Sequence, residues 1–442
     1  MNFSPAITLC FSLRSVIACE TNSCRCVAVF FLALLLLGGC DSRSESKRGN
    51  PASQSPTGIG TNQAGSPDGM ADGKLAQALL QQGEIEKALE VAQRALLESP
   101  TDHAALRTMA SVQAARENFS DAARIATELA KLDGERGLED WLAAFDWHLR
   151  ASELMAAEQD LREALRLAPE DPRVHRTMAQ LLNAEGRRFE SRQYILNLIR
   201  LNAAQPRELL SLVELGGPFL LVSLDEVVAD PAGTLLELGQ ARYLLVADSD
   251  LKAALEKVNL LAGKLSHPAL DAFRGRLIAE TDDSAAFEKW LEEVVPGTDE
   301  HPEYWYAIGL KLAHMRRDKQ AIRAFGEALT RDPTDRASLR YMAAALERIG
   351  EAKGAAAVRE NLAVLDQVFR RALVADASQA MWIGEQLQKM VRPWESLGWY
   401  QYAFQLRGSN PDASLQMQER RQQISTWEAG ASEEAIAKAR LD

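Results

Sequence analysis

Residues 302–333 read PEYWYAIGLKLAHMRRDKQAIRAFGEALTRDP, and this stretch decides the fold. Trp305, Ile308 and Leu312 recur at helical spacing and share one face of a first helix. Ala321, Phe325 and Ala328 do the same for a second helix. Gly309 and Ala321 are small where two such helices must approach closely. Pro333 follows the second helix and cannot continue it. The stretch predicts two antiparallel helices joined by a short turn.

A large residue, a small one, then an Ala…Phe…Pro series is the pattern of the tetratricopeptide repeat (TPR), and residues 302–335 resemble that family. Copies recur along the chain. Ala88 and Ala122 lie 34 residues apart, as do Ala321 and Ala355. Four copies are expected over 71–205, carried by Leu75, Ala76, Leu79 and Gly83, then Met109 and Ala126, then Trp141, Phe145 and Leu161, then Met178, Ser191 and Ile195. Residues 206–233, with Gly216-Gly217-Pro218, break the pattern and are expected to form an irregular joint. A second array is expected over 234–410, in which one repeat is longer by seven residues, since Ala355 and Ser396 are 41 apart. Residues 411–442 are expected to form a capping helix and tail. The resulting expectation is an all-α, right-handed α-solenoid of eight to nine TPR-like helix pairs.

The chain has 442 residues, 62 acidic against 50 basic, for a net charge of −12. That balance argues against nucleic acid as a partner, which would need a basic surface. The five cysteines all lie at or before Cys40, so the repeats hold no thiolate metal site, disulfide or cysteine nucleophile. No P-loop, G-x-S-x-G or H-E-x-x-H motif occurs. The expectation is a protein without enzymatic activity, metal or cofactor. His103, His148, His175, His267, His301 and His314 are expected to be isolated surface residues.

Val27 to Leu37 is an unbroken apolar run too short to span a bilayer. Leu37-Gly38-Gly39-Cys40 resembles the lipobox of bacterial lipoproteins. That resemblance implies a signal peptide over 1–39, lipidation of Cys40, and a membrane-anchored protein facing the periplasm. Residues 40–70 carry no apolar period and are expected to be a disordered linker with a reach of roughly 30 Å.

In TPR arrays a peptide usually lies along the concave face made by the first helices. Carried over position by position, the resemblance assigns a groove to Arg107, Arg176, Gln180, Tyr306, His314, Arg340, Arg348, Met381, Glu385 and Lys389. The arginines suit an acidic or carboxylate-bearing peptide. An aromatic group, Trp382, Trp394, Trp399, Tyr400, Tyr402 and Phe404, is expected to be core. The function expected is a membrane-tethered scaffold for a protein or peptide partner. Residues 234–410, including RPWESLGWYQYAFQL at 392–406, also resemble the repeat arm of planctomycete-type proteins with FG-GAP and ASPIC/UnbV modules. That resemblance implies an alternative, an accessory arm acting with a separate propeller or an envelope-assembly partner.

Overall fold

The computed structural model describes residues 70–213, 232–281, 283–407 and 411–430. The expected signal peptide, Cys40, nearly all of the linker, the middle of the 206–233 joint and the last part of the tail lie outside these residues. The described residues form helices and turns, with no strand among them.

Among the described residues, nine antiparallel pairs run in chain order. They are α1 (Met70–Gln81) with α2 (Ile85–Glu98), α3 (His103–Ala115) with α4 (Phe119–Asp133), α5 (Leu138–Arg150) with α6 (Leu154–Leu167), and α7 (Pro172–Ala184) with α8 (Arg188–Arg200). A single helix, α9 (Pro206–Val213), follows. Then come α10 (Leu236–Ala247) with α11 (Leu251–Ala262), α12 (Pro268–Glu280) with α13 (Ser284–Glu292), and α14 (Pro302–His314) with α15 (Asp318–Arg331). The array continues with α16 (Arg336–Arg348) and α17 (Ala352–Ala372), α18 (Ala377–Lys389) and α19 (Pro393–Arg407), and the capping helix α20 (Pro411–Gly430). Most helices pack on the next, and the described residues form an all-α solenoid of TPR-like pairs.

Two local devices repeat. In eight of the nine pairs the residue two before the second helix has positive φ: Gly83, Glu117, Ser152, Gly186, Ser249, Arg316, Gly350 and Val391. This left-handed residue ends the first helix and reverses the chain. The fourth residue of each second helix is buried, and it is Ala or Ser in every pair except one, where Phe287 takes the place. Several first helices begin on side-chain caps: Asp102 accepts from the Ala105 amide at 2.8 Å, and Asp376 with Gln379 makes a full capping box. Such caps contribute about 1 kcal/mol each. The extra seven residues of the lengthened repeat sit in α17, 21 residues long against 14 for α15.

Residues 206–213, at the start of the expected joint, form a short regular helix. Leu209, Leu212 and Val213 of α9 are buried, and α9 packs on both α17 and α19. The second array therefore curls back onto the first. One apolar core joins Ile195, Ile199 and Leu209 to Val368, Ile383, Leu387 and Trp399. Gly398 permits the approach: a Cβ there would lie 2.5 Å from Leu209 Cδ2 and 2.9 Å from Ile199 Cδ1. Polar bonds seal the seam. Gln401 Nε2 donates to the Ile199 carbonyl at 3.0 Å, and Arg392 Nη2 donates to the Leu212 carbonyl at 2.8 Å. The aromatic group belongs to this seam, with Trp399 and Tyr400 fully buried and the others packed against its edge or near it.

Candidate functional site

A partly open cavity of about 240 Å³ lies between the turn into α8 and the helices of the second array. Its wall is built from the turn into α8 (Arg187, Arg188, Phe189), the inward faces of α10 and α12, the start of α14, and the turn from α15 into α16. Six arginines line it, Arg187, Arg188, Arg242, Arg276, Arg336 and Arg340, against three carboxylates, Glu303, Asp332 and Asp335. The sequence pattern did not single out five of these arginines, because they come from separate repeats and form no motif. Arg187-Arg188 beside Gly186 was the one local signal.

Each charge has a definite setting. Arg242 grips both oxygens of Glu303, one at 2.7 Å, and lies over the Phe273 ring at 4.3 Å. Burial alone would raise the Glu303 carboxyl, but Arg242 holds it below the usual range. Arg276 stacks on Tyr306 at 4.2 Å and reaches Asp335 at 3.4 Å; burial opposes its charge, but Asp335, Tyr306, Glu303 and Glu280 together raise its pKa above the usual value. Arg336 Nε donates to Asp366 at 2.8 Å, outside the cavity wall. Arg187 is held from behind by Glu158 at 2.8 Å, Glu185 at 2.9 Å and Glu190 at 2.5 Å. Burial, then the neighbouring Arg242 charge, pulls the Arg188 guanidinium down to about 9, so it stays charged at neutral pH. Burial, then the Asp335 charge, pushes the Asp332 carboxyl up to about 6, against hydrogen bonds from the Thr334 amide and hydroxyl at 2.8 and 2.6 Å.

Beside the cavity, and sharing Ala337 and Arg340 with it, a second recess of about 390 Å³ lies between Glu280, Tyr306, Tyr341 and Ala344. It is formed by α12, α14 and α16, three successive first helices. Tyr306 and Arg340 therefore share one recess.

The remaining assigned residues divide by setting. Tyr306 is a core residue and does not stand exposed in a groove: it is 0% exposed, its hydroxyl donates to Glu280 Oε1 at 2.5 Å, and its ring packs on Phe325. The first-helix register in this pair is turned so that Tyr306, Leu310 and Ala313 are buried, while Trp305, Ile308 and Leu312 are half-buried. Arg107 is a strut between repeats, bonded to Asp140 at 2.8 and 2.9 Å and also to Asp133, with Asp140 raising its pKa. Arg176 ties α7 to the α8–α9 region through Glu208 at 2.7 Å and the Ala203 carbonyl at 2.6 Å. Arg348 bonds Asp318 at 2.6 and 2.8 Å, within its own neighbourhood. Gln180 and Met381 are half-buried, and Met381 packs on the seam core. His314, Glu385 and Lys389 are exposed, away from the cavity wall.

Three histidines depart from the expected surface setting. His148, His175 and His301 are buried, with His148 Nδ1 at 2.5 Å from Asp160 and His175 Nε2 at 2.8 Å from the Pro169 carbonyl. Among the described residues no group of three or more His, Cys, Asp or Glu could hold a metal ion, and no helix is long and apolar enough to cross a membrane.

The fold class is an all-α solenoid of TPR-like helix pairs. No family model matches the chain, and no curated protein matches it. Solved structures that it resembles include the APC/C hetero-tetramer Cut9–Hcn1, at 14% identity and TM-score 0.27 over 83% of this chain and 77% of that one. Yeast Tom70 is matched at 13% identity and TM-score 0.25, over 77% of each chain. A tetratricopeptide repeat protein from Parabacteroides merdae ATCC 43184 is matched at 12% identity and TM-score 0.27, over 64% of this chain and all of that one. At such TM-scores the class rests on the pairing of the helices themselves.

Proposed function

We propose that this protein is a non-catalytic interaction scaffold, held to a membrane by a lipid on Cys40 and facing the periplasm, that takes a protein partner on its first-helix face. The recess between Glu280, Tyr306, Tyr341 and Arg340 carries the reading. It presents a rigid aromatic floor, a carboxylate and an exposed guanidinium at one place on three successive helices, the composition that anchors binding hot spots. Tyr306 acts through the floor it builds, and Arg340 acts by direct contact.

A photo-crosslinking amino acid placed at Arg340 in intact envelopes tests this, with the exposed Arg323 on the second-helix face as the control site. Capture of one defined protein from position 340 and not from 323 supports the scaffold. Equal capture from both sites, or none from 340, counts against it. The identity of the captured protein also decides between a general scaffold and an accessory arm working with a propeller or envelope-assembly component. Labelled palmitate incorporation, compared with Cys40→Ala, tests the anchor.

A further inference from the structure

We infer that the recess between α12, α14 and α16 recognises a partner segment of mixed charge, whose acidic residue goes to Arg340, whose basic residue goes to Glu280 and whose apolar side chain lies on Tyr341. The inference rests on the first-helix face being the docking face, and it adds the chemistry of what docks.

The charges are laid out for such a segment. Glu280 and Arg340 both line the recess, and both are exposed. They belong to α12 and α16, the first helices on either side of α14. Among the described residues neither forms an ion pair, with the other or with a third group. The charged neighbours on the same helices are occupied elsewhere. Arg276, one turn before Glu280, is turned to Asp335 and to the Tyr306 ring. Arg336, one turn before Arg340, donates to Asp366 at 2.8 Å. Two opposite, unpaired charges that share one recess complement a segment carrying the reverse pair. A segment of a single sign would be repelled by one of them.

The groups that would touch the partner are held in place and remain open. The Tyr306 hydroxyl donates to Glu280 Oε1 at 2.5 Å, and burial and, after it, the Glu280 charge push that hydroxyl up, so it stays a donor. An ionised carboxylate has about four acceptor sites, of which Tyr306 takes one. On α16, Ala337, Tyr341 and Ala344 fall at i, i+4 and i+7 and form one half-buried lane beside Arg340. The Tyr341 ring is braced by Phe325, nearly parallel at 6.0 Å, and by Tyr306 edge-on at 6.1 Å. The two alanines are small on either side of it, which leaves depth for an apolar side chain. A volume of about 390 Å³ lies within the range of ligand-sized clefts.

The test is an array of short capped peptides, each with two charged residues and one leucine on a Gly/Ser background, in acidic–basic, acidic–acidic and basic–basic sets at varied spacing. It is probed with the purified full chain in detergent. Mixed-charge peptides are expected to bind roughly tenfold better than peptides of one sign, the worth of one charge-assisted hydrogen bond. Arg340→Glu, a change at an exposed side chain, should leave the melting temperature unchanged and move the preference to the basic–basic set. Glu280→Gln keeps an acceptor for Tyr306 and should remove the need for the basic residue while the acidic one is still required. Arg323→Glu, on the second-helix face, should alter neither preference. Binding by no peptide, a wild-type preference for either single-sign set, or a preference that Arg340→Glu leaves unmoved overturns the inference. Capture of a defined protein from position 340 in envelopes, with no mixed-charge preference on the array, would leave the scaffold standing and remove this chemistry alone.

Discussion

Gly309 lies directly beneath the ring of Phe325: a Cβ on Gly309 would sit 2.6 Å from Phe325 Cε1. The glycine on α14 and the aromatic on α15 are one packing unit, since the fully buried ring fills the space the missing side chain leaves. Gly309→Ala should therefore destabilise the protein by about 1–3 kcal/mol, even though alanine is the better helix former by about 1 kcal/mol. Chemical denaturation checks this, and a stabilised variant would show that the two helices are not in this contact.

Tyr306→Ala should be about as damaging as Phe325→Ala, each costing about 3–5 kcal/mol. Both rings are fully buried in one core, and Tyr306 also supports Arg276 and Glu280. Equilibrium unfolding of the two variants compares them directly. A Tyr306→Ala protein close to wild type would restore the expectation of an exposed groove residue.

Val391 is a β-branched residue held at φ 59° in the turn before α19, and its side chain is 83% exposed. Left-handed backbone costs such a residue about 1–3 kcal/mol, and nothing is recovered by burial. Val391→Asn is expected to raise stability by about 1 kcal/mol, seen as a higher melting temperature. An unchanged or lower value would contradict the turn geometry.

Asp332 offers a pH-dependent test. Its folded carboxyl is pushed up to about 6 from the model-peptide value of 3.8, so the folded state holds the proton more tightly than the unfolded chain does. Its favourable contribution is present below about pH 4 and is lost as pH rises through 6. Asp332→Asn mimics the protonated form and keeps an acceptor for Thr334. It is expected to gain about 1–3 kcal/mol above pH 7, with the gain fading to near zero at pH 4. A difference independent of pH would contradict the assignment.

The helix pairs were legible in the sequence because their constraint is local and periodic. Ala88, Ala122, Ala321 and Ala355 must be small wherever a second helix crosses its first, and a 34-residue spacing exposes that need. The register of α14 was not, because Trp305 and Tyr306 are adjacent aromatics and both faces of the helix touch protein. Family groove positions placed Arg107 and Arg176 on an open face, yet each is engaged by carboxylates that the period does not mark, Asp140 and Glu208. The cavity was hidden for a further reason. It gathers Arg188, Arg242, Arg276 and Arg340 from four separate helix pairs, and no local pattern announces that convergence or the meeting of α8 with α19.

That meeting is the central claim, and Arg192 with Glu395 tests it most directly. Arg192 Nη2 lies 3.1 Å from Glu395 Oε1, across 203 residues of sequence, and both side chains are buried. Burial alone would raise the Glu395 carboxyl, but Arg392 and Arg192 hold it low. Breaking one partner of such a pair costs about 3–5 kcal/mol because the other charge is left buried. The decisive measurement is a double-mutant cycle with Arg192→Gln and Glu395→Gln, read by equilibrium unfolding. A closed arc predicts that the double variant loses much less than the two singles combined, a coupling of at least about 1 kcal/mol. Strict additivity of the two losses would mean that the residues do not touch and that the solenoid is open.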